Sequence, residues 1–512
     1  MHGCRTRRAA APALLAVAVP VAAVLALAVL AVGCGVRTGG DPSSFGGSAA
    51  AGRPDARPGG AGDDVLGSDV GPTTSTPPSS TIPPAAVTIV GADGSEEDAI
   101  AANAIDDLGT FWSTAYPQAY GGAFRPVRGG FYAADDTTDL ATLPCAPSDR
   151  SFVVDNAYYC PGADALVWDR QHLLLDLAAQ YGPFTVAVVI AHEWGHAVQA
   201  RAGADVGRPT VTLELQADCF AGAWAARAAA GDSPRFRVDA EDLDRALVGV
   251  LSLKDAPGAL STDPNAHGSG FDRVGAFQDG FEDGVVRCAA YHDGDPRPYL
   301  FADRGDGSGD LPYADDGTNE GITEAAVASL EAFWADAFPA LSNGRPWLPL
   351  APARPFAPDD PPDCAGRPVV DFRLYYCVPD RYVGYDDVET MPEAYQLGDF
   401  AVGTLLATQY GLAVQDELGE EPPDDRTAAL RGDCLAGAWA GALLPADGGD
   451  PTYPYGLLLS PGDLDEAVAV LLSFRGDDER RDGEPGFERV RSFRVGVVDG
   501  AAACRRVTAP SS

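Results

Sequence analysis

Apolar positions change their period several times along the chain. An unbroken apolar run from Ala9 to Val32 follows Arg5, Arg7 and Arg8. As a helix rising ~1.5 Å per residue it would span about 36 Å, although Pro20 sits in its middle. From Gly35 to about Pro84 Gly, Ser, Thr and Pro take over, as in "PTTSTPPSSTIPP". Such a segment buries too little apolar surface to offset its ordering entropy, so 35–92 reads as a disordered tether. "FVVDNAYYC" and "ALVWD", separated by "PGAD", predict a β-hairpin. Three helical runs follow. "FTVAVVIAHEWGHAVQAR" lies just after Pro183, which suits a first helical turn, "VTLELQADCFAGAWAARAAAG" stops near Gly231, and "AEDLDRALVGVLSLKD" is the third. The expected fold is α+β, mainly helical with a small antiparallel sheet.

The same pattern is then written again. "IAHEWGHAVQ" at 190–199 returns as "LATQYGLAVQ" at 406–415. His192 and Thr408 lie 216 residues apart, as do Phe271 and Phe487, while Asp218 and Asp433 lie 215 apart. "DLGTFWSTAYP" (107–117) matches "SLEAFWADAFP" (329–339), and "DLDRALVGVLS" (242–252) matches "DLDEAVAVLLS" (463–473). Matches in order at a near-constant offset predict a tandem duplication, and a period of about 200 residues means two domains rather than a solenoid. The expected organisation is a leader over 1–34, the tether, a first domain over 93–290, an acidic linker over 291–318 and a second domain over 319–506. The linker stretch "DRGDGSGD" hints at calcium but lacks the order of an EF-hand and its closing Glu, and reads as a connector.

At 512 residues and 46% hydrophobic, the chain can fill two cores. Its net charge of -38 argues against nucleic acid as a partner, because binding phosphates needs clustered Lys and Arg, and Lys254 is the sole lysine. The arginines, apolar run and closing "LAVGC" form the n-region, h-region and cleavage site of an export signal. That ending resembles a bacterial lipobox in which Cys34 would carry lipid, with Ala31 where Leu is commonest; an uncleaved membrane helix is the alternative. Either way the remainder is expected on the extracytoplasmic face of the cell membrane. Four further cysteines fall in each domain, and four allow three pairings. Cys145–Cys160 with Cys219–Cys288, and Cys364–Cys377 with Cys434–Cys504, are the expected disulfides of an exported chain.

HExxH is written once, at His192, Glu193 and His196. Residues i and i+4 share a helix face, so two imidazoles can converge on one cation, while Glu193 points around the helix toward a metal-activated water. Catalytic zinc needs a third protein ligand. "ELQAD" supplies it: Glu214 can complete the set, and Asp218, one turn on, can accept the free N–H of a ligand histidine. With "HEWGHAVQ" followed by "ELQADCFAGAWA", the chain resembles the bacterial neutral zinc metallopeptidases over roughly 97–290.

The resemblance implies a gluzincin-like, zincin-type fold and a peptidase with His192, His196 and Glu214 as Zn2+ ligands and Glu193 as catalytic base. It also points to His267, in "NAHGSG", for stabilising the oxyanion or binding substrate. The substrate would be a peptide or protein. In the second copy Thr408, Gln409 and Leu412 replace the HExxH residues, Ala429 replaces Glu214 and Gly483 replaces His267. That copy is expected to be a pseudopeptidase that binds a partner or packs against the first. The competing function is an extracellular binding or scaffolding lipoprotein whose peptidase fold is silent in both copies.

Overall fold

The computed structural model describes residues 85–509, apart from 146, 204–207, 260–265, 293–294, 300–309, 318, 371, 445–454 and 476–485, together with two short strands, β1 (Val65–Ser68) and β2 (Gly71–Pro72). The expected leader, Cys34 and most of the tether lie outside the described residues. Among the described residues no helix is long and apolar enough to cross a membrane.

The first half carries strands β3 (Ile89–Val90), β4 (Gly130–Ala134), β5 (Ala157–Cys160) and β6 (Ala165–Asp169). Its helices are α1 (Glu96–Tyr120), α2 (Leu173–Tyr181), α3 (Pro183–Ala202), α4 (Thr210–Ala229), α5 (Ala240–Ser252) and α6 (Gly270–Ala289). The second half has β7 (Arg354–Phe356), β8 (Asp363–Cys364), β9 (Arg367–Pro368), β10 (Leu374–Cys377), β11 (Tyr382–Asp386) and β12 (Phe474–Arg475). Its helices are α7 (Ile322–Leu341), α8 (Thr390–Tyr395), α9 (Asp399–Leu418), α10 (Asp425–Ala442), α11 (Asp463–Ser473) and α12 (Gly486–Asp499). Helices dominate, and the sheets are small.

The sheets correct one expectation. β5 and β6 form the antiparallel hairpin, but β4 joins β6 in parallel, giving a mixed sheet ordered β3-β4-β6-β5. The reason is the long excursion after β4, which returns the chain through two 3-10 turns at Leu140–Thr142 and Arg150–Phe152 to the outer strand of the hairpin. β7 joins β11 in parallel in the same way. One difference separates the sheets: among the described residues β5 is an edge, whereas the outer side of β10 is paired antiparallel with β1.

Helix starts follow local chemistry. Pro183 occupies the first turn of α3, where its missing N–H costs nothing. Asp239 and Asp242 form a reciprocal capping box on α5. Disulfides Cys145–Cys160, Cys219–Cys288, Cys364–Cys377 and Cys434–Cys504 close, one short and one long loop in each half.

Helices α4 and α6 pack at backbone contact. A Cβ on Gly222 would lie 1.9 Å from the Phe277 carbonyl oxygen, and α10 meets α12 identically through Gly437 and Phe493. Gly222→Ala is therefore expected to destabilise the chain by about 1–3 kcal/mol or more, read as a lower urea midpoint, because neither helix can yield without straining the Cys219–Cys288 link.

The halves touch through matched contacts. The Phe271 N–H at the start of α6 donates to Asp465 of α11 at 2.8 Å, and the Phe487 N–H at the start of α12 donates to Asp244 of α5 at 2.8 Å. Asp244 and Asp465 occupy the same place in their two "DLD" stretches, as Phe271 and Phe487 do in theirs. Each half thus caps a helix of the other. The Phe281 ring packs on Phe487 at 4.7 Å, and Gln278 donates to the Phe487 carbonyl.

Candidate metal centre

Helix α3 runs buried beneath the sheet and carries His192, Glu193 and His196 on the side that faces α4 and β5. Atoms of these three side chains lie within 4.8 Å of one another. Glu214 approaches from α4: its Oε2 is 3.2 Å from His192 Nε2, and its Oε1 is 3.5 Å from His196 Nε2. Both imidazoles therefore turn Nε2 toward a single carboxylate.

Their other nitrogens are committed. His192 Nδ1 is 2.7 Å from Asp218 Oδ1, and His196 Nδ1 is 2.9 Å from Gln199 Oε1. Carboxylate and amide oxygens accept only, so each Nδ1 carries a proton, and Nε2 is the nitrogen left to turn a lone pair to a metal once its own proton is lost. That arrangement fits a divalent zinc ion with His192, His196 and Glu214 as ligands, because ligand histidines characteristically donate their second N–H to such partners. Glu193 fits a different task. Its Oε2 is buried without a hydrogen-bond partner, and the Tyr159 backbone N–H of β5 faces the carboxyl group.

Electrostatics follow from burial and crowding. Burial pushes the Glu193 carboxyl above its usual range, against the nearby rings of His196 and His192. Burial also opposes the charge on Glu214, yet the two imidazoles outweigh it and hold that carboxylate well below the usual range. His192 is driven the other way: burial disfavours its charge, but Asp218 and Glu214 overcome this and push it up to about 10. A metal must therefore displace a proton from this ring.

Asp218 does more than accept from His192. Arg273, from the first turn of α6, donates to both of its oxygens, Nε at 2.8 Å and Nη2 at 3.0 Å. Sequence reading missed Arg273, although "GFDRV" and "GFERV" carry an arginine at the same place in their two stretches. It also gave Gln199 no role, though "HAVQ" sets it three residues after His196. Gln199 Nε2 donates to the Leu213 carbonyl and so ties α3 to α4.

His267 lies between α5 and α6. It is buried in the loop before α6, where Asp255 faces its Nδ1 at 3.0 Å and accepts from its backbone N–H at 2.7 Å. Asp255 is the third residue that sequence reading passed over. Beside His192 and Glu193 opens a small cleft walled by Ala157, Leu173, Val188, Val189, Val250 and Leu253.

In the second half the corresponding positions are closed. Thr408 Oγ1 donates to the Leu405 carbonyl, Gln409 Nε2 reaches Thr408, and Leu412 is buried. Gln415 donates to the Ala428 carbonyl, as Gln199 does to Leu213, but its Oε1 is buried with no partner, and Leu412 stands three residues before it, as His196 stands before Gln199.

Comparison with known proteins agrees with the motifs. The chain is 29% identical over 185 residues to the uncharacterized protein YpfJ of Escherichia coli K12, covering 32% of this chain and 54% of that protein. It is 30% identical over 164 residues to the uncharacterized proteins Rv2575 of Mycobacterium tuberculosis and Mb2605 of Mycobacterium bovis, covering 27% of this chain and 55% of each. The chain thus spans about half the length of the curated relatives it matches. No solved structure matches. Residues 144–291, which hold His192, Glu193, His196, Glu214 and Asp218, match the family described as "Putative neutral zinc metallopeptidase".

Proposed function

We propose that the first half is a zinc-dependent peptidase and that the second is a tandem copy stripped of its metal ligands. One observation carries this: two Nε2 atoms and the Glu214 carboxylate face one another while both Nδ1 protons are committed to Asp218 and Gln199. Zinc held there would lower the pKa of a bound water and polarise the scissile carbonyl. Glu193, with an unpartnered oxygen, takes a proton from the attacking water and passes it to the leaving amine. Asp218 and Gln199 keep both rings aimed. The apolar cleft accepts a hydrophobic side chain of the substrate, and the open edge of β5 offers backbone groups to an extended peptide. His267, braced by Asp255, is assigned to the oxyanion or to substrate binding.

The orphaned Gln415 oxygen supports the origin of the second half as a copy whose metal site was lost. Four disulfides support an oxidising compartment, consistent with export and with a tether through Cys34 or the apolar leader. Metal analysis by mass spectrometry tests the central claim. About one zinc per chain is expected for wild type and none for His196→Ala, since a site reduced to two protein ligands no longer holds the ion. Absence of zinc from wild type after reloading would turn the reading toward a binding protein.

A further inference from the structure

A second cluster of ligating groups lies away from the histidines, where the connector meets the second half. Asp310, Asp399, Asp463 and Glu466 each place a carboxylate oxygen within 4.8 Å of the others. Asp399 and Asp463 open helices α9 and α11 and are buried, Glu466 is half-buried, and Asp310 is exposed. Some oxygens are satisfied by neutral donors: the Leu311 N–H on Asp399, the Phe400 N–H on Glu466, and the Ser460 N–H and hydroxyl on Asp463. None of the four forms an ion pair among the described residues. Asp399, only 5% exposed, also has an Oδ1 with no hydrogen-bond partner at all. A buried carboxylate with an unused oxygen, facing three more, is costly unless a cation sits among them.

The first half shows what normally stands there. By the register of the two "DLD" stretches, Asp463 corresponds to Asp242 and Glu466 to Arg245. Arg245 donates to Asp242 at 2.6 Å and to Glu241 at 2.6 Å, so that half carries its own cation. Asp399 corresponds to Pro183, the residue that opens α3. The second half has thus exchanged a guanidinium for a carboxylate and added two more acids around it. Gly398 makes room: a Cβ there would lie 1.8 Å from the Glu466 carboxyl carbon.

We propose that Asp310, Asp399, Asp463 and Glu466 bind one hard divalent cation, calcium by their chemistry, and so pin the connector to the first turns of α9 and α11. The donors are all oxygen, with no imidazole or thiol among them, which selects calcium over zinc. Four carboxylates in one site exceed the one or two that magnesium usually takes.

Calorimetric titration of calcium chloride into the purified chain, freed of divalent ions, tests this. One site is expected, with a rise in melting temperature of at least about 2 °C at saturation and a weaker response to magnesium chloride. Asp310→Asn, at an exposed position, should weaken calcium binding several-fold, and His196→Ala should leave it unchanged. Glu466→Arg copies the first half: it should abolish the calcium response and raise the melting temperature of the ion-free chain. No heat and no thermal shift up to about 5 mM calcium would overturn the proposal. So would calcium binding that survives both Asp310→Asn and Glu466→Arg, or that disappears in His196→Ala.

Discussion

Replacing Glu193 with glutamine is expected to lower peptide hydrolysis by ~10²–10⁴-fold while leaving about one zinc bound per chain. Glutamine keeps the length and much of the shape of the side chain but cannot accept a proton at neutral pH, so the loss isolates proton transfer. That range corresponds to about 3–5 kcal/mol of transition-state stabilisation. Burial supports the assignment, since it lifts the carboxyl toward the pH at which a base works best. The measurement is cleavage of a fluorogenic peptide library alongside metal analysis of the same sample. Full activity in a zinc-loaded Glu193→Gln chain would remove this residue from the reaction.

The second large effect separates architecture from chemistry. Arg489 grips Asp433 at 2.9 and 3.0 Å, nearly matching the 2.8 and 3.0 Å of Arg273 on Asp218, in a half with no histidine to orient. Both pairs are buried, and removing one carboxylate strands a guanidinium away from water. Asp433→Ala and Asp218→Ala are each expected to cost about 3–5 kcal/mol in urea unfolding. Only Asp218→Ala should also weaken zinc binding, by ~10–100-fold, because it alone releases a ligand ring. Equal zinc loss in both variants would mean the metal responds to general softening of the fold.

This pair also explains what could be read from the sequence and what could not. Short-range patterns were legible: Pro183 at a helix start, HExxH one turn apart, "ELQAD" on a single helix face, and the hairpin around "PGAD". Each is a relation between residues a few positions apart, where backbone periodicity alone decides which side chains meet. Asp218 was read as a partner of the ligand histidine because that chemistry lies near the motif. What it shares with Asp433 is a different partner, a guanidinium 55 or 56 residues downstream that no local period could place beside it. The parallel pairing of β4 escaped for the same reason, since strand order depends on where a long loop returns. The four-acid cluster joins two segments of the second half with the connector, so only the folded chain brings it together.

The exchanged caps have one more consequence. Asp465 holds the Phe271 N–H, Arg273 follows in the same turn of α6, Arg273 holds Asp218, and Asp218 holds the His192 ring. The half without histidines is therefore a strut whose far end bears on the imidazole. Severing the chain in the connector and keeping only the half with HExxH would leave the Phe271 N–H and the Asp244 carboxylate facing water in place of their partners. The smallest unit that keeps this ring braced is both halves together.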